Sequence, residues 1–514
     1  MSLNNILRFG CFQVNVYIGI ARPGLAGCVR RHFRQHAGSS GPSRPIHTRH
    51  TRRPRLALVT GNKKMHYSTS LFTTATESER VPFVMKPEFD FHKLFHEDNV
   101  VYLKESILKR KLRVDLNKIM YLWERVKDVE ENMNFLQTRR ESLKEEGKNF
   151  NRQKSASQEV KMQFRTEGKR IRENLKKATA LYNSLSQELY LSVLQLPNIL
   201  HPETPSEEEV KVIEVHGSKA DTMPIKHVPY GIENGLLSIN HDIVNPGMCY
   251  LHGKAAWLQM ALLWWMSNAL MDRGFMRFSS PDMYKPVALE AVCVDVTDPE
   301  QVFSVLTSES NLYLTGVSSA VFSGYYMMSV IENADLPQRS FSVGTHYDAS
   351  KESQSFLGLP TIMQRSQIEI SCLCHASSES DSVFHQTTDM LLDLYSQLPV
   401  QLRLVEVGTK DLLPSMYRKQ AIQLLLPSTQ EYYEVACVYN CTDYISRRLK
   451  IRYPADPTQR AAQSRKRVHA HTIHGTAVNV PVLLAVLLET CQTEDQNLAI
   501  PTVLTDFLPK IFSS

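Results

Sequence analysis

With 514 residues, 42% of them hydrophobic and 22% charged, the chain has the composition of a globular protein large enough for more than one domain, not that of a disordered or fibrous one. Its longest apolar stretch, Ala255 to Met271, is interrupted or flanked by Lys254, Gln259, Ser267 and Asn268, so it reads as a buried core helix and not as a membrane span. The net charge of +6 hides an asymmetry: residues 1–76 hold ten Arg, two Lys and no acid, and the body from Glu77 onward is −6.

That acid-free leader, 1–76, has the character of a mitochondrial transit peptide, because an inward-negative membrane potential draws cationic segments into the matrix. A basic tail that binds nucleic acid is the alternative. Seven cysteines lie beyond the leader without a CxxC pair. Free thiols suit the matrix better than a secreted setting. Cys372-Leu-Cys374-His375 has the only metal-like spacing, but the alternation from Ile368 to Cys374 predicts an ordinary buried strand there and no metal.

Between Pro87 and Pro197 there is no proline, and glycine occurs only at Gly147 and Gly168. Apolar residues recur at threes and fours, first at Leu116, Ile119, Trp123, Val126, Met133 and Leu136. They do so again at Ile171, Leu175, Ala178, Leu181 or Tyr182, Leu185 and Leu189. Two helices over 114–146 and 158–194, folded back at the polar run 147–158, account for this pattern and place a helical-hairpin arm within 77–200. Each helix would reach about 50 Å, and a two-helix arm of that length has little core. Three prolines, Pro197, Pro202 and Pro205, then end the arm and start a linker. From there to the C-terminus, 201–514, short β-branched runs alternate with helical stretches, which predicts an α+β domain around an antiparallel sheet.

The arm is basic on an acidic body. Residues 101–195 carry a net +8, and 139–177 hold thirteen bases against six acids. This pattern predicts contact with nucleic-acid phosphates. A coiled coil with solvated charged flanks would show the same composition.

Beyond the arm, Glu434-Val-Ala-Cys-Val-Tyr-Asn440-Cys441-Thr442-Asp443-Tyr444 leads to Arg447-Arg448. Together with the hairpin and the proline-rich junction, this stretch resembles the seryl-tRNA synthetases, which read Glu-Val-Ser-Ser-x-Ser-Asn-Cys-x-Asp-Phe-Gln-x-Arg-Arg there. Gly274-Phe275 through Ser280-Pro281 resembles class II motif 1, the dimer interface. His471 through Ala477, with Glu489 and Gln492, resembles motif 3. The resemblance implies a class II aminoacyl-tRNA synthetase-like antiparallel sheet domain preceded by a long antiparallel two-helix coiled-coil arm.

The same resemblance implies a degenerate active site with no catalytic residue and no ATP, magnesium or other cofactor. The motif 3 arginine of the family falls at Val482. The Phe-Arg-x-Glu of motif 2 falls near Tyr347, and no arginine lies between Arg339 and Arg365. The adenine-stacking aromatic becomes Arg365 and the following acid becomes Ser366. The serine-recognising Thr-x-Glu falls on Val317 and Ser319, and the magnesium-side acid on Gln423. One such charged contact is worth about 3–4 kcal/mol in a water-poor site.

Within the family the chain is similar to the catalytically inactive insect mitochondrial branch. That implies a matrix protein that binds tRNA, foremost serine tRNA, through the basic arm: Arg139, Arg140, Lys144, Lys148, Arg152, Lys154, Arg165, Lys169, Arg170, Arg172, Lys176 and Lys177. The kept motif 1 implies a dimer, either with itself or with the active mitochondrial seryl-tRNA synthetase. The alternatives are a regulatory or scaffold partner that does not use tRNA, and an active serine–tRNA ligase with an altered site.

Overall fold

The computed structural model describes residues 86–509 apart from 153–157, 208, 218–223, 240–242, 245–246, 307–310, 352–357, 377 and 494–496. The basic leader 1–76 lies outside the described residues. Two short helices, α1 (Phe91–Leu94) and α2 (Glu97–Lys109), come first. The Asp90 carboxylate caps α1 by accepting from the Lys93 amide at 3.1 Å. The arm proper is α3 (Leu116–Arg152) and α4 (Gln158–Leu194), packed as an antiparallel hairpin. The second helix has the expected bounds. The first runs six residues beyond the expected 146, because Gly147 sits with open space around it and one helical glycine costs only about 1 kcal/mol.

The arm's apolar core is concentrated at its foot. Leu116, Ile119, Leu122, Trp123 and Val126 of α3 close against Leu189 and Val193 of α4 and against Val100 and Leu103 of α2. Farther out, the buried seam residues are Val129, Leu143, Ile171 and Ala178.

After the arm come β1 (Lys211–His216), α5 (His227–Glu233), β2 (Leu237–Ser238), β3 (Tyr250–Leu251) and α6 (Gly253–Asp272). Then follow β4 (Met276–Phe278), β5 (Met283–Tyr284), α7 (Pro286–Ala291), β6 (Phe303–Leu306), β7 (Asn311–Leu314) and α8 (Ser319–Tyr325). The long strands β8 (Gln338–Tyr347) and β9 (Gln364–Cys374) lead to α9 (Ser378–Tyr395), β10 (Leu402–Glu406), β11 (Arg418–Leu426) and β12 (Glu431–Thr442). The chain closes with α10 (Tyr444–Leu449), β13 (Arg452–Pro454), β14 (Arg467–His469), β15 (His471–Asn479) and α11 (Val480–Thr490).

Eight strands form one sheet in the order β1-β10-β11-β12-β15-β9-β8-β4, antiparallel throughout except for the β4–β8 pair. Alternation sorts its two faces. On β9, Ile368, Ile370, Cys372 and Cys374 face the core formed with α6, α9 and α11, so the Cys-x-Cys spacing is the periodicity of a strand. Gln367, Glu369 and Ser371 face the other way, where α7, α8 and α10 lie. Helix α6 is 20 residues long, yet no described helix is long and apolar enough to cross a membrane. Its buried side holds Leu258, Leu262, Trp265, Met266 and Leu270, while Trp257, Met260, Trp264 and Met271 form an exposed stripe at helical spacing.

The proline-rich segment expected to be a linker is a docked joint. Asn198 is buried; its side-chain amide donates to Ser415 O at 3.0 Å and Cys441 O at 2.9 Å, and its own amide donates to Pro414 O at 2.7 Å. The Ser106 hydroxyl of α2 donates to Asn198 O at 2.7 Å. The Tyr444 hydroxyl donates to Leu196 O at 2.8 Å, and the buried Arg448 guanidinium donates to Leu194 O at 3.3 Å while stacking 3.4 Å over the Tyr444 ring. Arg110 of α2 donates to the Leu412, Leu413 and Met416 carbonyls. Prolines stop the helix, but the polar side chains between them pin the chain. Asn198→Ala is therefore expected to leave two buried carbonyls unpaired and lower stability by about 1–3 kcal/mol. Calorimetric unfolding with limited proteolysis will show it as an arm released before the core melts.

Candidate functional site

Two regions carry the expected chemistry: the arm and the polar face of the sheet. On α4, Arg165, Lys169, Arg172 and Lys176 recur at intervals of four, three and four, which aligns them as one stripe about 16 Å long. Arg170 and Lys177 begin a second stripe. The seam residues Ile171 and Ala178 lie on the remaining side, so neither stripe is used for packing. All six cations are exposed, as are Arg140, Lys144 and Lys148 on α3.

Arg139 differs from its neighbours. Its guanidinium meets Glu167 at 3.0 Å across the hairpin and Glu146 at 3.2 Å, and those hydrogen-bonded carboxylates raise its pKa further. It cross-links the seam while 39% of its side chain stays exposed. Arg152 ends α3, and Lys154 lies outside the described residues.

On the sheet, four of the seven sequence-derived pocket positions lie on or over the same polar face. Val317 follows Gly316, whose φ of +63° lets the chain pass against β8, where an added Cβ would lie 1.7 Å from Thr345 O. Val317 then covers Gly344 on the polar face, and its carbonyl meets His346 Nδ1 at 3.0 Å. Ser319 opens α8, which lies over the same face and stacks Phe322 against the His474 ring. Arg365 binds Asp348 at 3.2 Å and Gln367 Oε1 at 3.0 Å. Gln423 accepts from Arg403 Nε at 2.9 Å, and Arg403 stacks 3.9 Å from the Tyr432 ring.

The other three positions do not share that face, although the Tyr347 amide donates to Thr315 O at 3.3 Å beside the Gly316 turn. Tyr347 pairs with Gln364, and Ser366 with Thr345, on register positions of the opposite face. Val482, in the first turn of α11, packs in the helix-side core.

A network that sequence reasoning did not assemble links these residues. Gln367 Nε2 donates to Glu369 Oε1 at 2.7 Å, and Thr476 Oγ1 donates to the same oxygen at 2.6 Å. The series Asp348, Arg365, Gln367, Glu369, Thr476 therefore runs unbroken from β8 across β9 to β15. Burial pushes the Glu369 carboxyl up to about 8, against the pull of Thr476 and Arg365, so it is largely protonated at neutral pH. Burial, reinforced by Arg365, lowers His346 to about 4 and keeps it neutral. Lys419 pairs with Glu434 at 2.8 Å. The signal available in the sequence was the polar half of the β9 alternation, Gln367-Ile-Glu369.

The comparisons with known proteins agree with this geometry. The family model for the class II tRNA synthetase core domain (G, H, P, S and T) matches residues 303–491. The serine–tRNA ligase of Borrelia garinii subsp. bavariensis is 28% identical over 427 residues, covering 80% of this chain and 96% of its own. The mouse mitochondrial serine–tRNA ligase is 26% identical over 419 residues, covering 78% and 79%. The fold is that of a seryl-tRNA synthetase. The ATP complex of the Pyrococcus horikoshii seryl-tRNA synthetase superposes with a TM-score of 0.73 at 20% identity, over 82% of this chain and 98% of that one. The AMP complex of the Naegleria fowleri cytoplasmic enzyme gives 0.72 at 17%, over 82% and 97%. The family model and the sequence relatives make the chain similar to class II serine–tRNA ligases, and the solved structures give the fold.

Against that fold, the residues of the synthetase-like signature hold the scaffold together. Asn440 is fully buried; its Oδ1 accepts the Thr442 amide at 2.7 Å, where the chain turns through a φ of +49°. Arg447 pairs with Asp443 at 3.1 Å, and Arg448 clamps the arm's end. The pKa of Glu369 has a consequence for stability. The folded protein holds this proton well above the pH at which an unfolded glutamate releases it, so its contribution is fully present below the ordinary carboxylate range, declines from there, and is lost as pH rises through about 8. Glu369→Gln keeps both hydrogen-bonding neighbours and removes the titration. Its melting temperature is expected to fall less than that of the unsubstituted protein between pH 5 and 8, which thermal unfolding across that range will measure.

Proposed function

We propose that the protein is a non-catalytic seryl-tRNA synthetase paralogue of mitochondria that binds tRNA, foremost serine tRNA, through the α3–α4 arm, without binding ATP or aminoacylating. One contrast carries this reading. The cations on the polar face of the sheet are occupied internally: Arg365 by Asp348 and Gln367, Lys419 by Glu434, Arg403 by Gln423 and Tyr432. Those of the arm stripes are exposed.

Condensing serine with ATP needs free positive charge at the triphosphate and ionised acids for magnesium. Here Glu369 already accepts from Gln367 and Thr476, and the acid expected at Gln423 is an amide. RNA binding needs only exposed, correctly spaced cations. The acid-free leader supports a mitochondrial address, as does the similarity to mitochondrial serine–tRNA ligases of mouse and cattle.

The relatives' names favour a second reading, an active serine–tRNA ligase with an altered site. Serine-dependent ATP–pyrophosphate exchange separates the two; no exchange above background is expected, and measurable exchange would sink the non-catalytic reading. For the arm, Arg165→Glu/Lys169→Glu/Arg172→Glu/Lys176→Glu should abolish tRNA binding or flatten its log–log salt dependence by roughly 3. An arm whose charges proved dispensable would favour a scaffold that does not use tRNA.

The exposed α6 stripe of Trp257, Met260, Trp264 and Met271 fits a dimer interface continuing into β4. The partner we favour is the active mitochondrial seryl-tRNA synthetase, for which this chain would be a tRNA platform. Tagged protein purified from mitochondria should bring down that enzyme, and recovery of self-dimers alone would refute the heterodimer.

A further inference from the structure

The strongest unassigned feature is the β13–β14 hairpin. Residues 444–470 hold eight Arg and Lys against a single acid, Asp456, within a core that is otherwise strongly acidic. At the root of the hairpin these charges are answered: Arg452 meets Glu88 at 3.0 Å, and Arg447 meets Asp443 at 3.1 Å. At the tip they are not. Arg460, Arg465, Lys466 and Arg467 are all exposed, with no ion-pair partner among the described residues.

The tip is nevertheless held in shape. The Asp456 carboxylate accepts from Thr458, the Ala455 amide donates to Lys466 O at 3.0 Å, and the Ala461 amide donates to Glu332 Oε2 at 2.9 Å. Ser464 is buried and donates to Lys466 O at 2.7 Å. A fixed loop that projects four unanswered cations costs little entropy when it meets an anion.

We infer that this hairpin is a second contact surface for the phosphate backbone of the RNA that the arm holds. The inference rests on the RNA-binding reading of the arm and extends it to the core. Three of the four cations are arginines, whose planar fork matches phosphate bidentately. The surface lies beside the arm's foot, because His469 on β14 meets Glu88 at 3.1 Å and Glu88 leads directly into α1. An anionic membrane is the less suitable partner. The exposed neighbours are Ala455, Pro457, Thr458, Gln459, Ala462 and Gln463, and none is a large apolar side chain that could enter a bilayer.

The test is tRNA binding by the full chain across a salt series, with a transcript of mitochondrial serine tRNA as the probe. Arg460→Ala/Arg465→Ala/Lys466→Ala/Arg467→Ala should weaken binding at least about tenfold at low salt and reduce the log–log salt slope by roughly 3, with an unchanged melting temperature. If that variant unfolds early, Arg465→Gln/Arg467→Gln reads the same slope with about half the change. Unchanged affinity and slope, with binding abolished by the arm variant, would overturn the hairpin's role and leave the proposed function intact. An unsubstituted chain that bound no tRNA would overturn both. Hairpin-dependent binding to phosphatidylcholine vesicles carrying phosphatidylserine, with tRNA binding unaffected by the hairpin, would assign the surface to membranes and overturn the inference.

Discussion

The buried joint at Asn198 and Arg448 is the constraint on which the rest depends. A hairpin about 50 Å long acts as a lever, so any looseness at its foot is multiplied at its far end. The joint resists this with directional bonds. One asparagine ties the carbonyls of two core segments, and one arginine ties the carbonyl that ends α4 to the helix after β12. Leaving any of these groups unpaired in the interior costs more than the bond itself contributes, which makes the docked orientation specific as well as favourable. The apolar cluster around Trp123 adds area, and the hydrogen bonds add direction.

The same logic explains the distribution of charge. Where arginine and lysine are buried or half-buried in the core they are tied to a carboxylate or an aromatic face: Arg418 to Glu406 at 2.8 Å, Lys419 to Glu434, Arg403 to Tyr432. Outside it, on α4 and the β13–β14 loop, cations stand at regular or fixed positions and remain exposed. Desolvated charge must be paired, whereas surface charge can stay available to a partner. Under the proposed function, the contrast between occupied buried cations and the exposed clusters distinguishes scaffold from binding surface.

Much of this was legible in the sequence, for physical reasons. Helical periodicity placed α4 over 158–194 because a proline-free amphipathic run has few alternatives. The alternation of Ile368, Ile370, Cys372 and Cys374 identified β9 and explained the cysteines. What the sequence could not show was pairing between distant segments. Arg139 has the same composition as its basic neighbours, and only the opposing helix, through Glu167, makes it a seam cross-link. The prolines after Leu196 look like a linker until Ser415 and Cys441, more than two hundred residues later, supply acceptors for Asn198. Val482 lies in the first turn of α11, a helix in which every residue from Val480 to Glu489 is buried, a degree of burial set by the distant segments around it.

The polar face links these threads. A site that binds a triphosphate and magnesium must keep like charges close and unpaired until the ligand arrives, which opposes stability. Under the proposed function that requirement is gone, and the observed series from Asp348 to Thr476 is what a relaxed site would become: each donor answered by a neighbouring acceptor, one carboxyl kept neutral, and Val317 closed over Gly344. Such a face contributes to holding the sheet, and the sheet carries the joint that holds the arm. On that proposal the sheet would serve RNA binding indirectly, as the rigid base from which the exposed cations are presented.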